Sequence, residues 1–177
     1  MGNAFAIGFG LAAYISVPPT WANSTAPDGF HHQDWFYPTS FDLRKDLEAA
    51  RKNNKELVLL WEQNGCIYCR KMHSLVFTRS DIVDLINQNF QVIQMDLWGS
   101  RKFTGLDGVT GSESEIARSY FVNTTPTTQF FDDEGDVTFQ APGYVPPPAF
   151  KAIYRYVIEQ AYDEQPFLKW IKTQTLD

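Results

Sequence analysis

A chain of 177 residues, 44% hydrophobic and 20% charged, is long enough for one domain with its own core and short for two. Its net charge of -6, with no basic cluster in any window, excludes an electrostatic footprint for nucleic acid or an anionic membrane surface. Two cysteines three positions apart exclude a disulfide framework and a four-cysteine zinc site.

Residues 1–22 hold no Asp, Glu, Lys or Arg, and residues 4–17 form an apolar run short of the roughly 18 to 20 residues that span a bilayer. Thr20 and Ala22 are small residues at the -3 and -1 places of a cut after Ala22. The segment therefore reads as a signal peptide and the protein as periplasmic. No Lys or Arg supplies a positive n-region, so a retained apolar tail is the competing reading. Residues 23–40, rich in Ser, Thr, Pro, Gly and aromatics, read as a linker tied down by Trp35, Phe36 and Tyr37. His31 and His32 in this linker read as solvated rather than metal-bound.

The domain proper is expected over residues 41–177. Leu43, Leu47 and Ala50, spaced four and three with charges between them, predict an amphipathic helix over 41–54. Residues 57–61 are a continuous apolar run, hence a buried strand, and a polar turn through Gln63, Asn64 and Gly65 delivers Cys66 and Cys69 to the start of a helix over 67–76. That helix is expected to bury Cys69, Met72, Leu75 and Val76. Ser80 is the expected cap of a helix over 81–89, followed by a strand over 90–97. Residues 99–112 read as a Gly-rich loop on the rim of the site, and residues 112–120 as a short helix with Glu113 and Glu115 in its first turn. Residues 127–131 and 137–140, joined by a turn containing Glu134-Gly135, predict a hairpin, and residues 146–162 a final helix. This order implies an α/β fold with a crossover unit first, an antiparallel hairpin last and helices on both faces of the sheet.

The chemistry centres on the two thiols. A thiolate rather than a thiol attacks a disulfide, and a cysteine in the first turn of a helix has unpaired N–H groups and the helix dipole to stabilise its charge. Cys66 is then the nucleophile, with Arg70 and Lys71 adding positive charge, and Cys69 the thiol that resolves the mixed disulfide. Two other readings of the pair are a zinc half-site recruiting His73 and an inert pair of thiols. Pro126, ahead of a β-prone run, reads as a turn proline at a strand edge or as the site of a cis peptide.

Cys66-Ile67-Tyr68-Cys69 after its strand, Thr125-Pro126-Thr127, the hairpin and the final helix together resemble the thioredoxin superfamily over roughly residues 41–171. More narrowly, Cys69-Arg70-Lys71-Met72, Val76-Phe77, Asn87-Gln88-Asn89-Phe90, Met95-Asp96, Phe131-Asp132 to Gly135 and Pro142-Gly143-Tyr144 resemble the exported thioredoxin-like proteins of bacterial sulfur-oxidation clusters, of the SoxW type. The resemblance implies a thioredoxin fold with a central mixed sheet, Pro126 in cis beside the cysteines, and Thr125 holding a substrate backbone. Two departures stand out. Many thioredoxins carry a buried acid six residues before the first cysteine, where this chain has Leu60; Glu62 is the nearest substitute as proton acceptor, or else a surface charge at the strand end. The residues between the cysteines are Ile67-Tyr68, without the histidine of strongly oxidising relatives, which favours the reducing end of a range of about -120 to -270 mV.

These features predict an exported thiol:disulfide oxidoreductase acting as a reductase on protein disulfides. The chain has no cofactor-binding glycine fingerprint, so no cofactor is expected and electrons would come from a protein partner. By resemblance that donor is a membrane thiol transporter of the DsbD or CcdA kind. An oxidase or isomerase, or a thioredoxin-fold binding module or chaperone, are the alternatives.

Overall fold

The computed structural model describes residues 28–174. The expected signal segment 1–22 and the first part of the linker lie outside them. In chain order the elements are α1 (Leu43–Lys52), β1 (Glu56–Glu62), α2 (Ile67–Leu75), α3 (Ser80–Asn89), β2 (Phe90–Asp96), β3 (Lys102–Thr104), β4 (Thr110–Ser112), α4 (Glu113–Ser119), β5 (Thr127–Phe131), β6 (Val137–Pro142), α5 (Pro147–Ile158) and α6 (Phe167–Trp170).

Four strands form one mixed sheet in the order β2-β1-β5-β6. β1 runs parallel to β2, with Glu56 opposite Phe90 and Glu62 opposite Asp96, and antiparallel to β5. Because β1 is covered on both faces, all its residues after Glu56 are buried, which is why it reads in sequence as an unbroken apolar run. Alternate residues nonetheless part company. Val58 and Leu60 join Met72 of α2 and Val76 at its C-cap, Ile82 and Ile86 of α3, and Phe150, Tyr154 and Val157 of α5 in one core. Leu57, Leu59 and Trp61 join Leu43 and Leu47 of α1 and Ile116 of α4 in the other. The sheet, its last hairpin and the helices on both faces are those expected from the order of elements, and together they make the thioredoxin fold that the resemblance implied.

Local chemistry sets most helix starts. Asp42 caps α1 by accepting from the Arg44 amide, Ser112 and Glu115 form a reciprocal capping box on α4, and prolines occupy the first positions of α5. Ser80 does not cap α3. It is the first helical residue, while Arg79 takes the extended cap position and spends its guanidinium on Asp81. The loop expected over residues 99–112 instead contains a β3–β4 hairpin, registered Lys102 to Ser112, that buries Phe103 completely. Three-residue strands interrupted by glycine carry too little periodicity to be read in advance.

Residues 28–37 lie against the edge strand. The Tyr37 amide donates to the Val92 carbonyl at 2.8 Å, the Gln94 side chain donates to the His31 carbonyl at 2.7 Å, and Trp35 and Phe36 pack on the α2 side of the core. Covering β2 in this way protects an otherwise open sheet edge.

Phe130 is fully buried where the rings of Phe90, Phe139 and Tyr154 meet, the Tyr154 contact at 4.9 Å between centroids. Phe130→Ala should lower unfolding stability by about 3–5 kcal/mol, read as a lower urea midpoint with little change in slope.

Candidate functional site

The turn between β1 and α2 sets the site. Gly65 adopts φ 72, a left-handed conformation that lets the chain leave the strand and begin the helix within two residues. Cys66 is therefore the N-cap of α2, and the Cys69 amide points at its sulfur at 3.0 Å. The two cysteines are joined as a disulfide with Cα atoms 5.2 Å apart. Their exposure differs: Cys66 is half-buried at the surface, whereas Cys69 is 3% exposed and belongs to the inner face of the helix. Only Cys66 is accessible to an incoming sulfur.

Thr125-Pro126 forms the opposite wall. The peptide bond between them is cis, and the Thr125 hydroxyl lies 3.4 Å from the Cys66 sulfur. The Pro126 carbonyl is taken by the Gly143 amide at 2.7 Å, which anchors this loop to the end of β6. Lys71 does not sit on the dithiol; its ammonium lies 4.5 Å over the ring of Tyr144. Arg70 lines the same cavity as the two cysteines. Around the site Ile67, Tyr68 and Trp98 are well exposed, and the Trp98 indole donates to Gln63 at 3.1 Å.

Glu62 is not a surface charge. It is 1% exposed, with both carboxylate oxygens about one hydrogen bond from His73 Nε2, at 3.0 and 3.1 Å, and a further donor in Gln94 Nε2. Glu62, Cys66 and Cys69 share a cavity of about 270 Å³ whose remaining wall includes Gly29, Phe30 and His31. A buried acidic side chain thus lines the same cavity as the less accessible sulfur. His73, considered above only as a zinc ligand, was the residue missed here. Its spacing of four from Cys69 places the two on one helix face, and it takes the buried place expected of Leu75, which is 48% exposed. Among the described residues no three His, Cys, Asp or Glu side chains gather as a metal centre.

A larger cavity of about 590 Å³ lies at the far end of β1, lined by Glu56, Asp132, Asp133, Glu134 and Asp163. Arg51, Lys55 and Tyr162 also line it, and neither cysteine does. Burial, then the charges of Asp133 and Asp132, push the Glu56 carboxyl up to about 7, and one of its oxygens has no hydrogen-bond partner.

Residues 43–158 match the family described as a thioredoxin-like domain. Among solved structures, a thioredoxin-fold protein from Helicobacter pylori superposes with a TM-score of 0.60 at 24% identity, over 68% of this chain and 81% of that one. A thioredoxin from Thermus thermophilus superposes with a TM-score of 0.54 at 22% identity, over 70% of this chain and 85% of that one. At such identities the likeness speaks for the fold. No curated protein matches the chain.

The Glu56 environment has a measurable consequence. A carboxyl raised in the folded state binds its proton more tightly folded than unfolded, so stability is lost as pH rises from about 4.5 through about 7. Denaturation midpoints recorded across that window should fall in the wild type and fall less in Glu56→Gln.

Proposed function

The chain belongs to the thioredoxin-like domain family, and from that premise we propose that it is an exported reductase of protein disulfides. A thioredoxin-like fold presenting a Cys-x-x-Cys disulfide supports thiol:disulfide oxidoreductase chemistry. The finer reading gives each residue a role. Cys66, capped into the first turn of α2, attacks a substrate disulfide as the thiolate; the Cys69 amide and the Thr125 hydroxyl face its sulfur and favour the charge. Thr125 and Pro126 hold the substrate backbone alongside. Glu62 takes the proton from Cys69, and Cys69 displaces the reduced substrate by attacking Cys66.

The observation that carries the reading is the unequal exposure of the two sulfurs opposite cis-Pro126. It separates an attacking thiol at the surface from a resolving thiol within. The reducing direction is supported by Ile67 and Tyr68, neither of which can place a cation beside Cys66 to hold it as a thiolate. Exposed Ile67, Tyr68 and Trp98 favour protein substrates over small thiols. The apolar residues 4–17 favour export to the periplasm, and the SoxW-type motifs favour a place in bacterial sulfur oxidation. Re-reduction would fall to a membrane thiol donor of the DsbD or CcdA kind.

Cys69→Ser should leave Cys66 able to attack and unable to be released, so the variant accumulates a mixed disulfide with its substrate protein, visible as a thiol-reversible band on a non-reducing gel. The wild-type pair, equilibrated against glutathione, should have a potential closer to about -270 than to about -120 mV. A value near the upper figure reverses the proposed direction.

A further inference from the structure

Behind Cys69 lies a polar cluster that the exchange chemistry above uses only through Glu62. His73 is 1% exposed, and both of its ring nitrogens are engaged. Nε2 faces Glu62, and Nδ1 lies 2.9 Å from the amide nitrogen of Gln33. An amide N–H can only donate, so Nδ1 accepts and the ring carries its hydrogen on Nε2, aimed at the carboxylate. His73 consequently has no lone pair left for the Cys69 thiol, although it stands one turn away on the same helix face. Its effect on that thiol must pass through Glu62.

The second donor to Glu62 is arranged in the same way. Gln94 Nε2 bonds both the Glu62 carboxylate and the carbonyl of His31. Both donors are thus tied to one segment, residues 28–37, through the Gln33 side chain and the His31 backbone. The ring of His31 lies 5.4 Å from that of His73, and burial, then the neighbouring His73, hold it below the usual histidine range. The groups facing Glu62 are then His73, Cys69 and Arg70 from α2, Gln94 from β2, His31 from the N-terminal segment, and Cys66 at the cavity mouth.

We infer that His73 and Gln33 are positioning residues for the resolving step, through which the segment preceding α1 governs the carboxylate that receives the Cys69 proton. This rests on the reading of Glu62 as that acceptor. In the step, the Cys69 S–H proton passes to Glu62 and the Cys69 sulfur attacks Cys66 Sγ. A Cys66–Cys69 bond forms and the bond from Cys66 to the substrate sulfur breaks. The substrate sulfur leaves with the electron pair as a thiolate and takes a proton from water; the dithiol has lost two electrons and the substrate disulfide has gained them. Glu62 then gives its proton to solvent through the cavity bounded by Gly29, Phe30 and His31. Two N–H donors turned on one carboxylate stabilise its charge and hold it still, and removing one makes the carboxylate a poorer acceptor at low pH.

Ellman's reagent reads this step alone. Reduced full-length protein releases one thionitrobenzoate as Cys66 is capped and a second as Cys69 displaces the bound half, and the second release is followed against pH. In His73→Phe its acidic limb should move to higher pH, making the release several-fold slower on that limb and unchanged on the alkaline plateau. Gln33→Leu should move it the same way by less, His73→Gln, which keeps a donor, should restore it, and the first release should be unchanged in all three. Glu62→Gln should abolish the limb. If Glu62→Gln does so while His73→Phe and Gln33→Leu superimpose on the wild type, the inference falls and the acceptor reading stands. If Glu62→Gln leaves the profile unchanged, both fall. Where His73→Phe does not fold, as judged by circular dichroism, Gln33→Leu and His73→Gln decide together, and a His73→Gln variant as slow as Gln33→Leu or slower overturns donation as the role of the imidazole.

Discussion

The buried carboxylate of Glu62 is the constraint around which the site is arranged. An ionisable group at 1% exposure is costly unless hydrogen bonds replace the water it has lost. Here the replacements come from three directions: His73 from α2, Gln94 from β2, and, one bond further out, Gln33 and the His31 carbonyl from the N-terminal segment. Each donor fixes something beyond itself. His73 ties the buried face of α2, which also carries Cys69 and Met72, to the end of β1. Gln94 holds the N-terminal segment to the sheet edge, where the segment's own aromatics Trp35 and Phe36 complete the core beside Phe77. Satisfying one carboxylate therefore orders the ground on which the dithiol stands.

The same arrangement explains why two cysteines of one motif differ so much. Cys66 owes its position to the N-cap of α2, where backbone N–H groups are unpaired and face outward. Cys69 lies one turn on, its amide spent on the Cys66 sulfur and its side chain buried on the inner face of the helix. In the proposed reading a thiol in the first place is ionised by the helix end, and one in the second gives its proton to a neighbouring group. The group proposed for that role comes from the sheet, because β1 ends in Glu62 immediately before the turn into α2.

What the sequence made legible was local. The run Leu57 to Trp61, the Cys66-Cys69 spacing and the alternation of α1 each lie within one element, and the elements assembled in the expected order. What it hid was non-local. The hydrogen-bond partners of His73 come from positions 33 and 62, and nothing in the periodicity of α2 distinguishes a histidine aimed at them from a polar residue in water. The pattern favoured Leu75 for the inner face, and the aromatic contacts of His73 with Phe36 and Phe77 took that place instead. Burial of Glu62 was equally hidden, since a charged residue at a strand end reads the same whether or not another segment covers it. Thr125-Pro126 was legible as a strand start, and its approach to Cys66 depended on a fold whose sheet brings residues 59 positions apart together.

The departure at Leu60 follows from the same geometry. Residues two apart on a strand point to the same face and are about 6.5–7 Å apart along it, so moving an acid from position 60 to position 62 keeps it on the α2 side while carrying it toward the cysteines. Position 60 is then free for a leucine that is 1% exposed among Met72, Val76 and Phe130, where a carboxyl would have few partners. Position 62 is the last residue of β1, within reach of α2, of the side chain at position 94 and of the covering segment. Gln94 sits opposite Leu60 in the parallel register and leans one pleat along to reach Glu62. The site thereby exchanges a carboxyl deep in the core for one at its margin, and an acid at the margin can be governed by whatever covers it.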